Sequence, residues 1–147
     1  MSLLSGASSS ALLVGAVLAL VVGLMASVVG LDRDRAFYPT VVMVVASYFV
    51  LFAVLGGERR ALAVELGFAM VFVVLALAGF RRSLWIVAAA LVGHGVFDVF
   101  HGQLVTNPGL PEWWPAFCMA YDVVAGSYLV VLLRRRPGNV HPAPAQA

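Results

Sequence analysis

Five stretches of about twenty mostly apolar residues, each closed by a short charged or turn-forming cluster, leave this chain few ways to fold. The first runs from Ala11 to Leu31 and is closed by Asp32, Arg33, Asp34 and Arg35. The second spans Phe37 to Leu55 and stops at Gly56, Gly57, Glu58, Arg59 and Arg60. The third extends from Ala61 to Phe80 and ends at Arg81 and Arg82; the fourth covers Leu84 to Val105. Asn107, Pro108, Gly109, Leu110 and Pro111 break the chain before a fifth run, Trp113 to Leu133, which Arg134, Arg135 and Arg136 close. About twenty apolar residues in a helix cross the hydrocarbon core of a bilayer. The sequence therefore predicts an all-α integral membrane bundle of five transmembrane helices, a single domain over residues 1–136. A Pro/Ala-rich tail, 137–147, is expected to be disordered and cytoplasmic.

Composition excludes the main alternatives. Hydrophobic residues make up 63% of the chain and charged ones 11%, with a mean hydropathy of +1.01, far from a water-soluble domain. The pI near 9.1 reflects an excess of only +2, and every basic residue is an arginine at the end of a span, so no basic face is offered to nucleic acid. Cys118 is the single cysteine, which excludes an intrachain disulfide and a Cys-rich metal motif. The absence of lysine beside abundant Ala, Val, Gly and Arg points to a bacterial chain, and so to a bacterial plasma membrane.

The arginines also set an expected orientation. The loop after span one, the loop after span three and the C-terminus fall on one side and carry seven arginines; the opposite side carries two. The positive-inside rule puts the N-terminus outside and the C-terminus in the cytoplasm, with Trp113 and Trp114 as outer-interface anchors. The first run lacks a basic leader and exceeds a signal peptide's apolar core, so it reads as a retained span. Its Gly15, Ala19, Gly23 and Ser27 share one helical face and allow close backbone approach, inside the bundle or in a homo-oligomer.

Ionisable groups inside spans are functional candidates, since each costs about 2.5–3.5 kcal/mol at a helix centre on insertion scales. Five lie there: Glu65 in span three, His94, Asp98 and His101 in span four, and Asp122 in span five. His94, Asp98 and His101 stand at i, i+4 and i+7, within an arc of roughly 60°. Cys118 and Asp122 share a face of span five, with Tyr121 on its edge. With the orientation fixed by the arginines, all of these fall in the outer half of the bilayer. Imidazoles and carboxylates on facing helices are how bundles build metal sites. The expected ligands of a divalent transition metal (zinc, iron or copper) are thus His94, Asp98, His101 and Asp122, with Asp98 and Asp122 as catalytic carboxylates and Glu65, Cys118 and Tyr121 as additional candidates. Blander roles also fit. The histidines can tie helices together, the aspartates can pair with them, Glu65 can reach outward or meet Arg59 or Arg60, and Cys118 can be a small buried residue.

The run HGVFDVFH, a Pro/Gly turn, and PEWWPAFCMAYDVVAGSYL resemble an uncharacterised family of small bacterial membrane proteins with a His-x3-Asp-x2-His helix followed by a Trp-Pro-x2-Cys-x3-Asp helix. The resemblance covers residues 94–129 and implies that His94, Asp98, His101, Trp114, Pro115, Cys118 and Asp122 act together; it implies no activity. From the residues alone, the leading expectation is a metal-dependent membrane enzyme, hydrolytic or oxidative, acting on a lipid or other small apolar ligand. The alternatives are a small transporter or proton-conducting protein, and an accessory subunit whose polar layer is structural.

Overall fold

The computed structural model describes residues 6–135, with side chains from residue 9, so the expectation for the 137–147 tail lies outside the described residues. Five helices are long and apolar enough to cross a membrane: α1 (Gly6–Val29), α2 (Phe37–Gly56), α3 (Arg59–Arg81), α4 (Leu84–Leu104) and α5 (Trp114–Arg135). At 20 to 24 residues, each is about 30–36 Å long, the thickness of a hydrocarbon core. Between their end turns, helices of this length close their backbone hydrogen bonds within themselves, which is what an apolar solvent demands.

The boundaries have local causes. Gly30, at φ 91°, ends α1 two residues earlier than its apolar pattern does, and a short 3₁₀ turn, Leu31–Arg33, follows. Gly57, at φ 68°, ends α2 in the same left-handed conformation. Glu58 then caps α3, its carboxylate accepting from the backbone N–H groups of Arg60 and Ala61. Those backbone donors, Ala61's above all, hold the Glu58 carboxyl below its ordinary range. The Arg35 guanidinium donates to the Phe80 carbonyl at 3.0 Å and to Gly79 O at 3.4 Å, covering the last carbonyls of α3. That contact fixes the loop after α1 and the α3–α4 turn at one end of the bundle, with most of the arginines.

Packing is arranged around α5 and α4. α5 lies along α4 on one side and along α1 on the other, while α2 packs on α3 and reaches α4. The small-residue face of α1 is buried against α5: a Cβ at Gly15 would run into the Phe117 carbonyl, and Gly23 lies against the Tyr128 ring. Ser27 at the foot of that face donates to Asp32 Oδ2 at 2.6 Å and lies 2.9 Å from the Tyr128 hydroxyl. The face thus serves packing within the bundle. Leu13, Val14, Val17 and Val21, on the far side of α1, are exposed, as lipid-facing residues are.

At the opposite end, the segment between α4 and α5 folds inward. Gly109 sits against the backbone of α2, where a Cβ would collide with the Phe52 carbonyl. Trp114 packs tilted against Tyr48 and edge-on against Phe52, with ring centroids 4.9 Å from each. Trp114 is therefore packed against α2 one to two turns inside its end, whereas Trp113 remains exposed. Of these two tryptophans, Trp113 alone has the exposure of a simple interface anchor.

Candidate metal centre

α4 carries the chemistry because it is the helix that both α3 and α5 pack against. Its buried face presents His94, Asp98 and His101, all at or below 2% exposure. A face 60° wide is shared between two neighbours, and the three residues meet different partners.

The first group lies between α4 and α5. His94 Nδ1–H donates to Asp122 Oδ2 at 2.7 Å, and Asp98 Oδ2 lies 3.6 Å from the same nitrogen. Cys118 Sγ–H donates to Asp122 Oδ2 at 3.5 Å. One ligand atom from each of His94, Asp98, Cys118 and Asp122 falls within 4.8 Å of all the others, and all four residues are buried. Gly95 makes this possible, since a Cβ there would press on Val123 and on the Met119 carbonyl of α5. Both carboxylate oxygens of Asp98 and Oδ1 of Asp122 are buried without a hydrogen-bond partner among the described residues. Leaving a buried acceptor unsatisfied costs about 1–3 kcal/mol, more when it is charged. A cation among the four would offset the charge of both carboxylates.

The contacts above approach the spacing that such an ion requires, although the four ligand atoms together spread to 4.8 Å. Metal bonds of about 2.0–2.3 Å to N, O and S imply edges of about 3.3–3.8 Å between tetrahedral ligands. Two of the three separations above lie in that range, and the His94–Asp122 contact needs to open by less than about 1 Å once Nδ1 gives up its proton to bind metal.

The second group lies between α3 and α4. His101 Nε2–H donates to Glu65 Oε1 at 2.7 Å, with both side chains fully enclosed. Asn107 Nδ2 donates to the same oxygen at 3.0 Å and to the Phe49 carbonyl at 3.2 Å, tying the α4–α5 segment to α3 and α2. Seven residues separate His101 from His94, roughly 10 Å along the helix. The Phe49 and Phe97 rings lie against both imidazoles, 4.4 and 5.5 Å from His101 and 5.7 and 6.1 Å from His94.

The single polar layer expected from the sequence is thus resolved into two groups. His94, Asp98 and Asp122 converge as expected, and Cys118 joins them. His101, expected beside them, is engaged by Glu65 instead, and Glu65 turns inward rather than toward Arg59 or Arg60. Tyr121 is half-buried and lines a cavity on the other side of α5. Asn107, which the sequence offers only as a turn former, is a polar partner that pattern reading misses.

That cavity, about 520 Å³, runs between α1 and α2 with α5 as its floor. Leu18 and Val22 form one wall, Val44 and Val45 the other, and Phe117, Cys118 and Tyr121 the base. Cys118 therefore belongs both to the four-residue group and to the cavity lining. In searches for similar proteins, no family model, curated protein or solved structure matches the chain.

Proposed function

We propose that this chain is a metal-dependent enzyme of the bacterial plasma membrane, its N-terminus outside and C-terminus cytoplasmic, built around a transition-metal ion held between α4 and α5. The observation that carries this reading is the convergence of His94 Nδ1, Asp98, Cys118 Sγ and Asp122 within 4.8 Å, fully buried, with three carboxylate oxygens lacking any hydrogen bond among the described residues. Charged groups at such depth are costly unless compensated, and a bound cation compensates all of them. The mixed N, O and S donor set suits zinc, iron or copper and argues against magnesium or calcium.

Catalytic centres keep one position open. His94, Cys118 and Asp122, already in mutual contact through Asp122 Oδ2, are assigned as ligands. Asp98, whose Oδ2 lies 3.6 Å from His94 Nδ1, is assigned as the general base beside the open position. The metal would supply a Lewis-acid or redox centre to a substrate drawn from the bilayer. The Glu65–His101–Asn107 group is assigned a supporting role, fixing α4 against α3.

Metal analysis of the full chain, purified in mild detergent without chelator, tests the proposal. About one equivalent of a single transition metal is expected, and less than about a tenth of an equivalent of every such metal after growth with each supplied would overturn it.

A further inference from the structure

The cavity on α5 has a shape that the metal reading does not require. One end is formed by Leu31, Asp34 and Ala36 at the arginine-rich end of the bundle, beside the exposed Arg33, and the other by Tyr48 and Trp114. From Phe37 to Tyr48, the α2 wall rises through eleven residue steps, roughly 16 Å. One leaflet of a bilayer has a hydrocarbon depth of roughly 15 Å, half of the whole core. The groove begins where headgroups lie, follows one leaflet, and ends at about mid-membrane. Apart from Thr40 on the α2 wall, polar side chains are confined to its ends and to Cys118 and Tyr121 on its floor; the rest of its walls are Val, Leu and Phe.

We propose that the groove holds one hydrocarbon chain of a bilayer phospholipid from the arginine-rich leaflet, with the distal part of that chain laid beside Cys118. Because α1 packs along α5 rather than along α2, the groove opens sideways into hydrocarbon, and the medium at that opening is lipid chain. About 520 Å³ lies within the range of ligand-binding cavities, which is about 300–1,000 Å³. Depth then selects which part of the lipid meets the polar group, which by its level on α2 lies near mid-membrane and not in the outer half expected from the sequence. Cys118 packs with Val45, eight residues or roughly 12 Å from Phe37 at the arginine-rich end, so a lipid headed by its phosphate near Arg33 brings chain methylenes, not its ester, to that level. This deepens the metalloenzyme reading by naming its substrate as the chain of a phospholipid, and it rests on that reading for the chemistry but not for the binding.

The test uses the full chain in phosphatidylcholine vesicles containing a phosphatidylglycerol with a diazirine midway along one chain, irradiated and mapped by mass spectrometry. Labelling should concentrate on Val22, Val45, Phe117 and Tyr121 over the exposed Val71 and Val74 of α3. Val44→Trp, and independently Leu18→Trp, should lower groove labelling about tenfold by filling the space, while Val74→Trp leaves it unchanged. Metal content should stay at the wild-type level in all three. Even labelling of all five helices, labelling insensitive to both groove variants, or cross-links joining two copies of the chain through the groove would overturn the proposal. Groove labelling in a wild-type protein that holds no metal would uphold the lipid site and remove the metal reading.

Discussion

Asp122→Asn is expected to weaken transition-metal binding at neutral pH by about a hundredfold or more, while leaving the bundle folded. Asp122 Oδ2 touches both His94 Nδ1 and Cys118 Sγ, so this one oxygen links the three assigned ligands. The change is nearly isosteric and keeps a hydrogen-bonding side chain, so packing of α5 on α4 should survive; what it removes is a negative charge at the ion. Loss of an outer partner alone typically costs about 10–100-fold in metal affinity, and loss of a charged ligand should cost at least the top of that range. His101→Gln provides the contrast. His101 lies outside the four-residue group and is held by Glu65, so its replacement should change metal affinity by less than about threefold, far below the effect of a ligand or its outer partner. Competition with a chromogenic chelator on the purified variants measures both. Equal losses from the two substitutions would mean that all three α4 residues act on one ion.

Glu65→Leu carries the largest expected effect on stability. It leaves His101 enclosed without its acceptor and removes one of the two oxygens to which Asn107 donates. Breaking a buried pair by deleting one partner costs about 3–5 kcal/mol. For a chain of this size, that corresponds to a fall in melting temperature on the order of 10 °C. Replacing both members, Glu65→Leu with His101→Phe, should recover much of the loss, because an apolar pair of similar volume has no charge to strand. Thermal unfolding in one detergent, followed by circular dichroism, gives all three values. A single variant within about 1 kcal/mol of wild type would show that the pair contributes little to holding α3 on α4.

The helices were largely legible because their solvent selects for a simple pattern: apolar runs of bilayer length broken by arginines, Gly56–Gly57 and the Asn107–Pro111 segment. The ends shifted by a few residues where backbone geometry took over from hydropathy, as at Gly30, whose positive φ stops α1 before Leu31. Polar α5 residues Arg134 and Arg135 continue the last helix, since a helix at an interface does not need apolar side chains to hydrogen-bond.

The site was legible only in part. Periodicity puts His94, Asp98 and His101 on one face of α4, and that is what the fold presents. It does not tell which neighbour each turn of that face meets. Crossing helices diverge along their length, so positions two turns apart on α4 reach α5 in one case and α3 in the other. By sequence, Cys118 fits a small buried residue as well as a ligand, and its burial satisfies the first; only the position of α5 against α4 adds its sulfur to the ligand set. Asn107 stands in a turn by sequence, and nothing in its pattern signals that its amide points at a carboxylate on α3.

The measurement closest to the central claim is X-ray absorption at the edge of whichever metal the purified chain retains. The four-residue group requires a coordination shell with one sulfur at about 2.3 Å and nitrogen or oxygen donors at about 2.0–2.2 Å, and the sulfur signal should vanish in Cys118→Ser. A shell of light atoms only in the wild-type protein, or a sulfur signal that persists in the variant, would contradict the assignment of the ion to the α4–α5 cluster.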